Sequence, residues 1–260
     1  MKTFRVDARM NINDYGRIVI LTGAGVSVAS GLRPYRGPDG LWNDQDLVRL
    51  SHVDTLQSEP LALWRHWWAM RKIARAASPN PAHISIARFA VSIEPGRTMS
   101  LITQNVDGLH SKAGSPSVIE FHGNALRTRC SRDGCSLESF EDPRCEGDEV
   151  PLCPLCGSLL RPDIVLFGEM IGLEADHRAK RALRDCDLFI AAGTSGTVQP
   201  AALFASWAAL AGARTVWVNL EGPPQQDSDH AFDEECLGRA EEVLPELLGG
   251  DTDTHAAVAG

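Results

Sequence analysis

Four cysteines in this chain have the spacing of metal ligands. Cys130 and Cys135 form one close pair, and Cys153 and Cys156 form a second pair after an intervening loop. Two such pairs can place four thiolates tetrahedrally around one zinc ion, with each sulfur about 2.3 Å from the metal. Because four sulfur ligands leave no coordination position open, the spacing predicts a structural zinc site and not a catalytic one.

The best candidate for proton transfer is His122, which follows a short apolar run at residues 118–121. A neutral imidazole near pH 7 can accept a proton from a hydroxyl group. Gln104, Asn105 and Asp107 follow another apolar run, and an open α/β sheet binds its ligand at the carboxyl ends of its strands. The alternative is a core histidine with a structural hydrogen bond, but these neighbours favour catalysis.

Glycine-containing turns follow two further apolar runs. The residues concerned are Gly23, Ala24, Gly25 and Ser27 in the first turn, and Gly193, Thr194 and Ser195 in the second. Glycine lets the backbone approach a pyrophosphate, and free N–H groups at a helix start favour an anion. Asn219 and Glu221, at the end of a third run, could hold a ribose hydroxyl. The dinucleotide-binding pattern is incomplete because position 28 is Val, so a plain strand-to-helix turn is the alternative.

The segment after the first turn is unusual for such a site. Pro34 cannot continue a helix, so Arg33, Tyr35 and Arg36 are predicted to lie in a loop beside the dinucleotide. A hydride-transfer enzyme has no evident need for such a loop. A surface loop with one apolar anchor is the simpler alternative.

The elements that position these residues follow from hydrophobic patterning. Short apolar runs predict strands at residues 18–21, 98–102, 118–121, 164–167, 188–192 and 215–219, with helices between them. This alternation indicates βα units and a parallel sheet. A helix is predicted over residues 59–77, with Trp64, Trp67, Trp68 and Arg71 on one face.

Bulk properties limit the possible functions. The chain has 260 residues and a formal charge of -9, so direct binding to a nucleic-acid backbone is not expected. No apolar run approaches the length of a membrane span, and the N-terminus lacks a signal-peptide core. Seven cysteines, an odd number, argue against a disulfide framework. We therefore expect a cytoplasmic protein that does not bind membranes.

Taken together, these residues resemble the sirtuin family of NAD-dependent protein lysine deacylases, over nearly the whole chain from Ile18 to about Leu248. The motifs that carry the resemblance are Gly23-Ala24-Gly25-Val26-Ser27 with Ser30-Gly31 and Arg36-Gly37, residues 103–110 (TQNVDGLH), Phe121-His122-Gly123-Asn124, the two cysteine pairs, residues 161–169 (RPDIVLFGE), Gly193-Thr194-Ser195 and Val218-Asn219. The chain looks most similar to compact bacterial sirtuins of the desuccinylating class.

The resemblance implies an α/β fold. A Rossmann-like parallel sheet domain would be accompanied by a smaller lobe made of a zinc-binding module and a helical insertion. The expected domains are a discontinuous NAD-binding domain (residues 1–36, 82–122 and 160–250), a cofactor loop with the helical part of the small lobe (37–81), the zinc module (123–159) and a disordered tail (251–260).

The resemblance also assigns roles to residues. NAD would be bound by Gly23, Ala24, Gly25, Ser27, Arg36, Gln104, Asn105, Asp107, Gly193, Thr194, Ser195, Asn219 and Glu221. His122 would be the general base, and Val165, Leu166, Phe167 and Gly168 would hold the substrate peptide by strand addition. NAD would be a consumed co-substrate. The acyl oxygen attacks the ribose as nicotinamide leaves, and the products are free lysine and O-acyl-ADP-ribose.

Three positions depart from the family pattern. Tyr35 stands where the family usually has Phe, and Leu166 stands where many relatives have Trp. Desuccinylating members carry a Tyr-x-x-Arg pair that binds the acyl carboxylate, and we match this pair to Trp68 and Arg71. On this assignment Arg71 permits acidic acyl groups such as succinyl or malonyl, while Trp68 narrows the pocket.

The resemblance implies NAD-dependent removal of acyl groups from the lysines of proteins or peptides. Two other uses of the same NAD stay open: ADP-ribosyl transfer to protein and NAD hydrolysis. A non-enzymatic NAD sensor or peptide-binding module is disfavoured by the intact His122, Asn105 and Asp107. The sequence leaves the oligomeric state undetermined.

Overall fold

The structure is a computed structural model that describes residues 10–37, 40–224 and 232–249. The predicted disordered tail at 251–260 lies outside the described residues, as does most of the lead-in before the first strand. None of the helices in the described ranges is long and apolar enough to cross a lipid bilayer.

The described chain alternates strands and helices. The strands are β1 (Arg17–Thr22), β2 (Thr98–Thr103), β3 (Val118–Glu120), β4 (Gly123–Cys130), β5 (Phe140–Glu141), β6 (Leu160–Ile164), β7 (Leu188–Ala192), β8 (Arg214–Asn219) and β9 (Glu234–Leu237). The helices are α1 (Gln45–Leu50), α2 (Thr55–Ser58), α3 (Pro60–Ala76), α4 (Pro81–Ser92), α5 (Leu109–Lys112), α6 (Leu173–Arg184), α7 (Phe204–Leu210) and α8 (Ala240–Leu247). Short 3-10 helices occupy Ile12–Asp14, Ala24–Ser30, Leu41–Asn43 and Ala201–Leu203.

The larger sheet has six parallel strands in the order β3-β2-β1-β7-β8-β9. Strand β1 is buried on both faces. Ile18 and Ile20 pack on one side with residues of α4 and α8, and Val19 and Leu21 pack on the other side with residues of α6 and α7. A parallel strand covered on both faces requires a continuous apolar run, which is the pattern seen in the sequence. The predicted Rossmann-like sheet is therefore confirmed.

The chain reverses its direction of winding at β1, which lies between β2 and β7. In an open α/β sheet the crevice at such a switch point, outside the carboxyl ends of the strands, is where ligands bind. The loops after β1, β2, β7 and β8 all leave the sheet at this edge. They carry the glycine turns and the amide-rich segment.

The smaller sheet is antiparallel, with the order β5-β4-β6, and forms a separate lobe with α3 and the cysteines. The strand predicted over residues 164–167 is wrong, because β6 ends at Ile164 and the following residues form a loop. Strand β6 pairs with β4, so residues 160–164 belong to the antiparallel sheet. The domain boundaries given above stay predictions.

Candidate active site

A large cleft of about 1380 Å³ lies at the carboxyl edge of the parallel sheet. Of the residues predicted to bind NAD, the cleft is lined by Gly23, Ala24, Gly25, Arg36, Gln104, Asn105, Gly193, Thr194, Ser195, Asn219 and Glu221. The other two, Ser27 and Asp107, line a smaller adjoining cavity. The structure thus brings the predicted set together, while their individual roles stay predictions.

The two glycine turns pack directly against each other. The Gly25 N–H donates to the carbonyl of Gly193 at 2.8 Å, and a Cβ atom added at Gly25 would lie 2.8 Å from Gly193 Cα. Gly193 itself has φ 58°, in the left-handed region that side chains disfavour. Glycine is therefore required at both positions, and the backbone lies bare at the floor of the cleft.

Side-chain amides join the strand ends beside these turns. The Gln104 side-chain amide donates to the Thr194 hydroxyl at 2.9 Å, and that of Asn219 donates to the Thr194 carbonyl at 2.7 Å. These bonds fix the ends of β2, β7 and β8 relative to one another. The walls of the cleft are consequently set before any ligand binds.

A polar corner lies where the loop after β2 meets the first glycine turn. The Ser27 hydroxyl donates to Asp107 at 2.7 Å, and the Asn105 amide donates to the Gly23 carbonyl at 3.0 Å. The side-chain carbonyl oxygen of Asn105 is buried and has no hydrogen-bond partner among the described residues. Burial raises the pKa of Asp107, opposed by hydrogen bonds from the Leu109 N–H and the Ser27 hydroxyl. This corner can bind a group that carries both donors and acceptors, such as a carboxamide.

His122 lies in the wall of the cleft, between β3 and β4. Its Nδ1 is 3.1 Å from the backbone carbonyl of Gln104. Because a carbonyl can only accept, Nδ1 carries the hydrogen of the neutral ring, which leaves the Nε2 lone pair able to accept a proton. Burial lowers the pKa of His122, and the bond to Gln104 opposes this shift. The geometry suits a general base.

Val165, Leu166, Phe167 and Gly168 also line the cleft, in the loop after β6. Three of their N–H groups are already used within the chain. Val165 donates to the His122 carbonyl and Phe167 to the Ser51 carbonyl, both at 2.9 Å, and Leu166 donates to the Glu169 carboxylate at 2.8 Å. Peptide binding by strand addition would therefore depend on the groups that remain.

Trp68 and Arg71 do not reach the cleft, which contradicts their prediction as acyl-binding residues. Arg71 is fully buried on the opposite side of α3. It donates to four backbone carbonyls, of Ala125, Arg127, Asp142 and Arg144, and to the Thr128 hydroxyl. Trp68 stacks on Trp64 with ring centroids 5.3 Å apart and packs beside the cysteines.

The residues of α3 that do line cavities were missed by the sequence interpretation. Trp67 lines both the cleft and the smaller cavity, and Met70 lines the smaller cavity. They precede Trp68 and Arg71 by one residue, which rotates a side chain by about 100° around the helix axis. The only sequence signal is the same three-residue spacing displaced by one position. Tyr35 lies in the cleft as predicted and stacks on Trp42, with centroids 4.9 Å apart.

The four predicted zinc ligands converge in the small lobe. The ligand atoms of Cys130, Cys135, Cys153 and Cys156 all lie within 4.8 Å of one another. Sulfur separations of 3.5 Å (Cys130 to Cys156) and 3.7 Å (Cys135 to Cys153) match the edges, about 3.8 Å, of a tetrahedron with sulfurs about 2.3 Å from its centre. The donor set and its geometry therefore fit one structural zinc ion.

Comparisons with known proteins agree with this geometry. The chain is 43% identical over 204 residues to an NAD-dependent protein deacylase of Aeropyrum pernix, covering 78% of this chain and 80% of the relative. It is 38% identical over 223 residues to one of Thermus thermophilus, covering 84% and 85% respectively.

Solved structures show the same fold. A Sir2 homologue in complex with NAD superimposes with a TM-score of 0.80 at 37% identity, over 92% of this chain and 90% of that one. A Sir2 structure with a deacetylated p53 peptide and 3′-O-acetyl ADP-ribose gives a TM-score of 0.77 at 30% identity, over 92% and 94%. The sequence profile of the Sir2 family matches residues 23–200. The chain therefore belongs to the Sir2 family of NAD-dependent protein deacylases.

Proposed function

We propose that this chain removes acyl groups from lysine side chains of proteins or peptides, with NAD as a consumed co-substrate and His122 as the general base. One observation carries the proposal. The Nδ1 hydrogen of His122 is directed to the Gln104 carbonyl, so Nε2 is the basic nitrogen in the same cleft as the glycine turns. A proton acceptor beside a dinucleotide site suits a reaction in which a ribose hydroxyl becomes a nucleophile.

The residues of the cleft divide the work. The bare backbone at Gly23, Gly25 and Gly193 would accommodate the pyrophosphate, and Asn219 and Glu221 would hold the adenosine end. The polar corner of Ser27, Asn105 and Asp107 would bind the nicotinamide carboxamide. Bound NAD supplies a ribose carbon that can accept the acyl oxygen as nicotinamide departs. His122 then takes a proton from a ribose hydroxyl at Nε2.

The loop after β6 would hold the peptide beside His122. Its shape depends on Glu169, whose carboxylate accepts from the Leu166 N–H and pairs with the guanidinium of Arg161. Because the Val165 N–H donates to the His122 carbonyl, the peptide loop and the general base are joined directly. An acyl-lysine held along this loop would extend its side chain towards the base.

The structural zinc would be held by the four cysteines of the small lobe. With all its positions filled by protein sulfur it would supply rigidity and no chemistry. The cytoplasmic location, the absence of nucleic-acid and membrane partners, and the roles of Tyr35 and Leu166 stay predictions.

The test is product analysis with an acetyl-lysine peptide and NAD. Deacylation gives nicotinamide, free lysine and O-acetyl-ADP-ribose in equal amounts, and His122→Ala should lose most turnover while still binding NAD. With labelled NAD, label on protein would instead indicate ADP-ribosyl transfer, and free ADP-ribose as the sole sugar product would indicate hydrolysis. Substitution of the exposed His177 by Ala is the control.

A further inference from the structure

A second cavity, which we call the rear pocket, lies behind the cleft and has a volume of about 210 Å³. It is continuous with the cleft, because Ala24, Tyr35, Trp67, Asn105 and Val106 line both. The pocket therefore begins where the reacting groups of the proposed deacylation would meet. A water molecule occupies about 30 Å³ in the liquid, so the rear pocket has room for a short aliphatic chain.

The two ends of the rear pocket differ in polarity. One end is the polar corner of Ser27, Asn105 and Asp107. The other end is apolar and is formed by Leu32, Leu41, Trp67, Met70, Ile73 and Ala74. An amide group suits the first end, and the second end has no polar requirement that a ligand must satisfy.

The charges around the rear pocket disfavour an anion. Its charged lining residues, among those the structure describes, are Asp107, which is buried in the polar corner, and Arg33, which is exposed at the surface. Arg71 is separated from the pocket by the body of α3 and is held by carbonyls of the zinc lobe. A carboxylate at the apolar end would lose its hydration without gaining a buried cationic partner.

We propose that the rear pocket binds the tail of neutral acyl groups longer than acetyl, and that Trp67 and Met70 determine this specificity. The proposal rests on the proposed deacylase function and names its substrate class. Acyl-lysines with unbranched tails of four to eight carbons are the expected substrates, and succinyl- and malonyl-lysine are expected to be poor ones. Each methylene transferred from water to the apolar end should raise kcat/KM about fourfold until the pocket is full.

The first experiment compares five acyl groups on one peptide with the full chain and saturating NAD. The series is acetyl, butyryl, hexanoyl, octanoyl and succinyl, with free lysine measured by mass spectrometry. We expect kcat/KM to rise from acetyl to at least hexanoyl and to fall at least tenfold from butyryl to succinyl. A flat or falling series with acetyl still removed would overturn the rear-pocket proposal alone. Release of no acyl group would overturn the deacylase function as well.

Two substitutions connect the series to the pocket. Ala74→Leu fills the apolar end and should lower the ratio of octanoyl to acetyl turnover at least tenfold. The control is Ala76→Leu, on the same helix but exposed and outside the pocket lining, which should keep the wild-type ratio.

Met70→Arg tests the same pocket in the opposite direction, and it also serves if Ala74→Leu does not fold. It places a cation where a succinyl carboxylate would lie, so the ratio of succinyl to acetyl turnover should rise at least tenfold. Unchanged ratios in both folded variants would show that the acyl tail binds elsewhere.

Discussion

Arg71 and Asp142 form an ion pair, 3.1 Å between Nη1 and Oδ2, with side chains 0% and 2% exposed. The pair joins α3 to the loop after β5, inside the zinc lobe. Asp142 also receives two hydrogen bonds from Arg144 and one from the Thr128 hydroxyl. Together with the carbonyls bound by Arg71, this arrangement satisfies both charges and fastens the helix to the lobe.

Breaking this pair should destabilise the chain. Arg71→Ala leaves Asp142 and several carbonyls without their partner, and removing one member of a buried pair costs about 3–5 kcal/mol. We expect the free energy of unfolding in urea to fall by that amount. Arg65→Ala is the control, because Arg65 pairs with the fully exposed Asp148 at 3.8 Å and should change stability by less than about 0.5 kcal/mol. A stable Arg71→Ala variant that had lost only succinyl turnover would restore Arg71 to the acyl-binding role.

The acid limb of the activity profile should lie below the ordinary imidazole value. The proposed base is active when neutral, and burial lowers the pKa of His122 from 6.5, so the neutral form persists to lower pH. We expect kcat/KM for an acetyl peptide to stay constant as pH falls to 6.5 and to decline only below it. A decline centred above pH 6.5 would contradict the role of His122.

Stability should decrease in mild acid through other buried histidines. Burial lowers the pKa of His83 and His66 to about 4 and that of His110 to about 3. Between pH 6.5 and about 4 the unfolded chain therefore binds protons that the folded chain does not, and the free energy of unfolding falls as pH falls. Each histidine contributes up to about 1.4 kcal/mol per pH unit.

The contribution of His66 can be measured separately. It lies against Trp67 on α3, with ring centroids 5.1 Å apart. Urea titrations at several pH values should show a shallower slope for His66→Gln than for the wild type, whereas exposed His177→Gln should keep the wild-type slope. Equal slopes for wild type and His66→Gln would mean that His66 is protonated in the folded chain.

Zinc removal should unfold the small lobe. Trp64 and Trp68 pack against Cys130 and Cys153, so loss of the metal would expose both indoles. We expect a chelator to lower the melting temperature and shift tryptophan fluorescence to the red. Cys135→Ser should lower the zinc content, whereas Cys145→Ser should not, because Cys145 lies outside the cluster. Unchanged melting after measured zinc loss would argue against a structural site.

Much of the fold follows from the sequence, for physical reasons visible in particular elements. Residues 188–192 were predicted as a buried strand, and β7 has those bounds because every one of its side chains is buried. The glycine turns and His122 were found because their chemistry allows few other uses. The loop at 165–168 was mistaken for a strand because its apolar side chains line a cleft and not a sheet face.

The orientation of α3 could not be predicted in the same way. Trp64, Trp67, Trp68 and Arg71 share one broad buried face, and periodicity identified that face correctly. It could not show that one edge of the face packs on the zinc lobe while the other edge lines the cavities. That division depends on contacts with β4 and the cysteine cluster, which are distant in sequence.

The two edges of α3 also couple the metal to the substrate. The helix is a rigid rod whose rotation about its own axis is fixed by Arg71 and Trp68 on the zinc side. Any twist permitted there would swing Trp67 and Met70 across the mouth of the rear pocket. The zinc lobe thus acts as the clamp of a gauge that measures the acyl chain, although none of its cysteines touches the cleft.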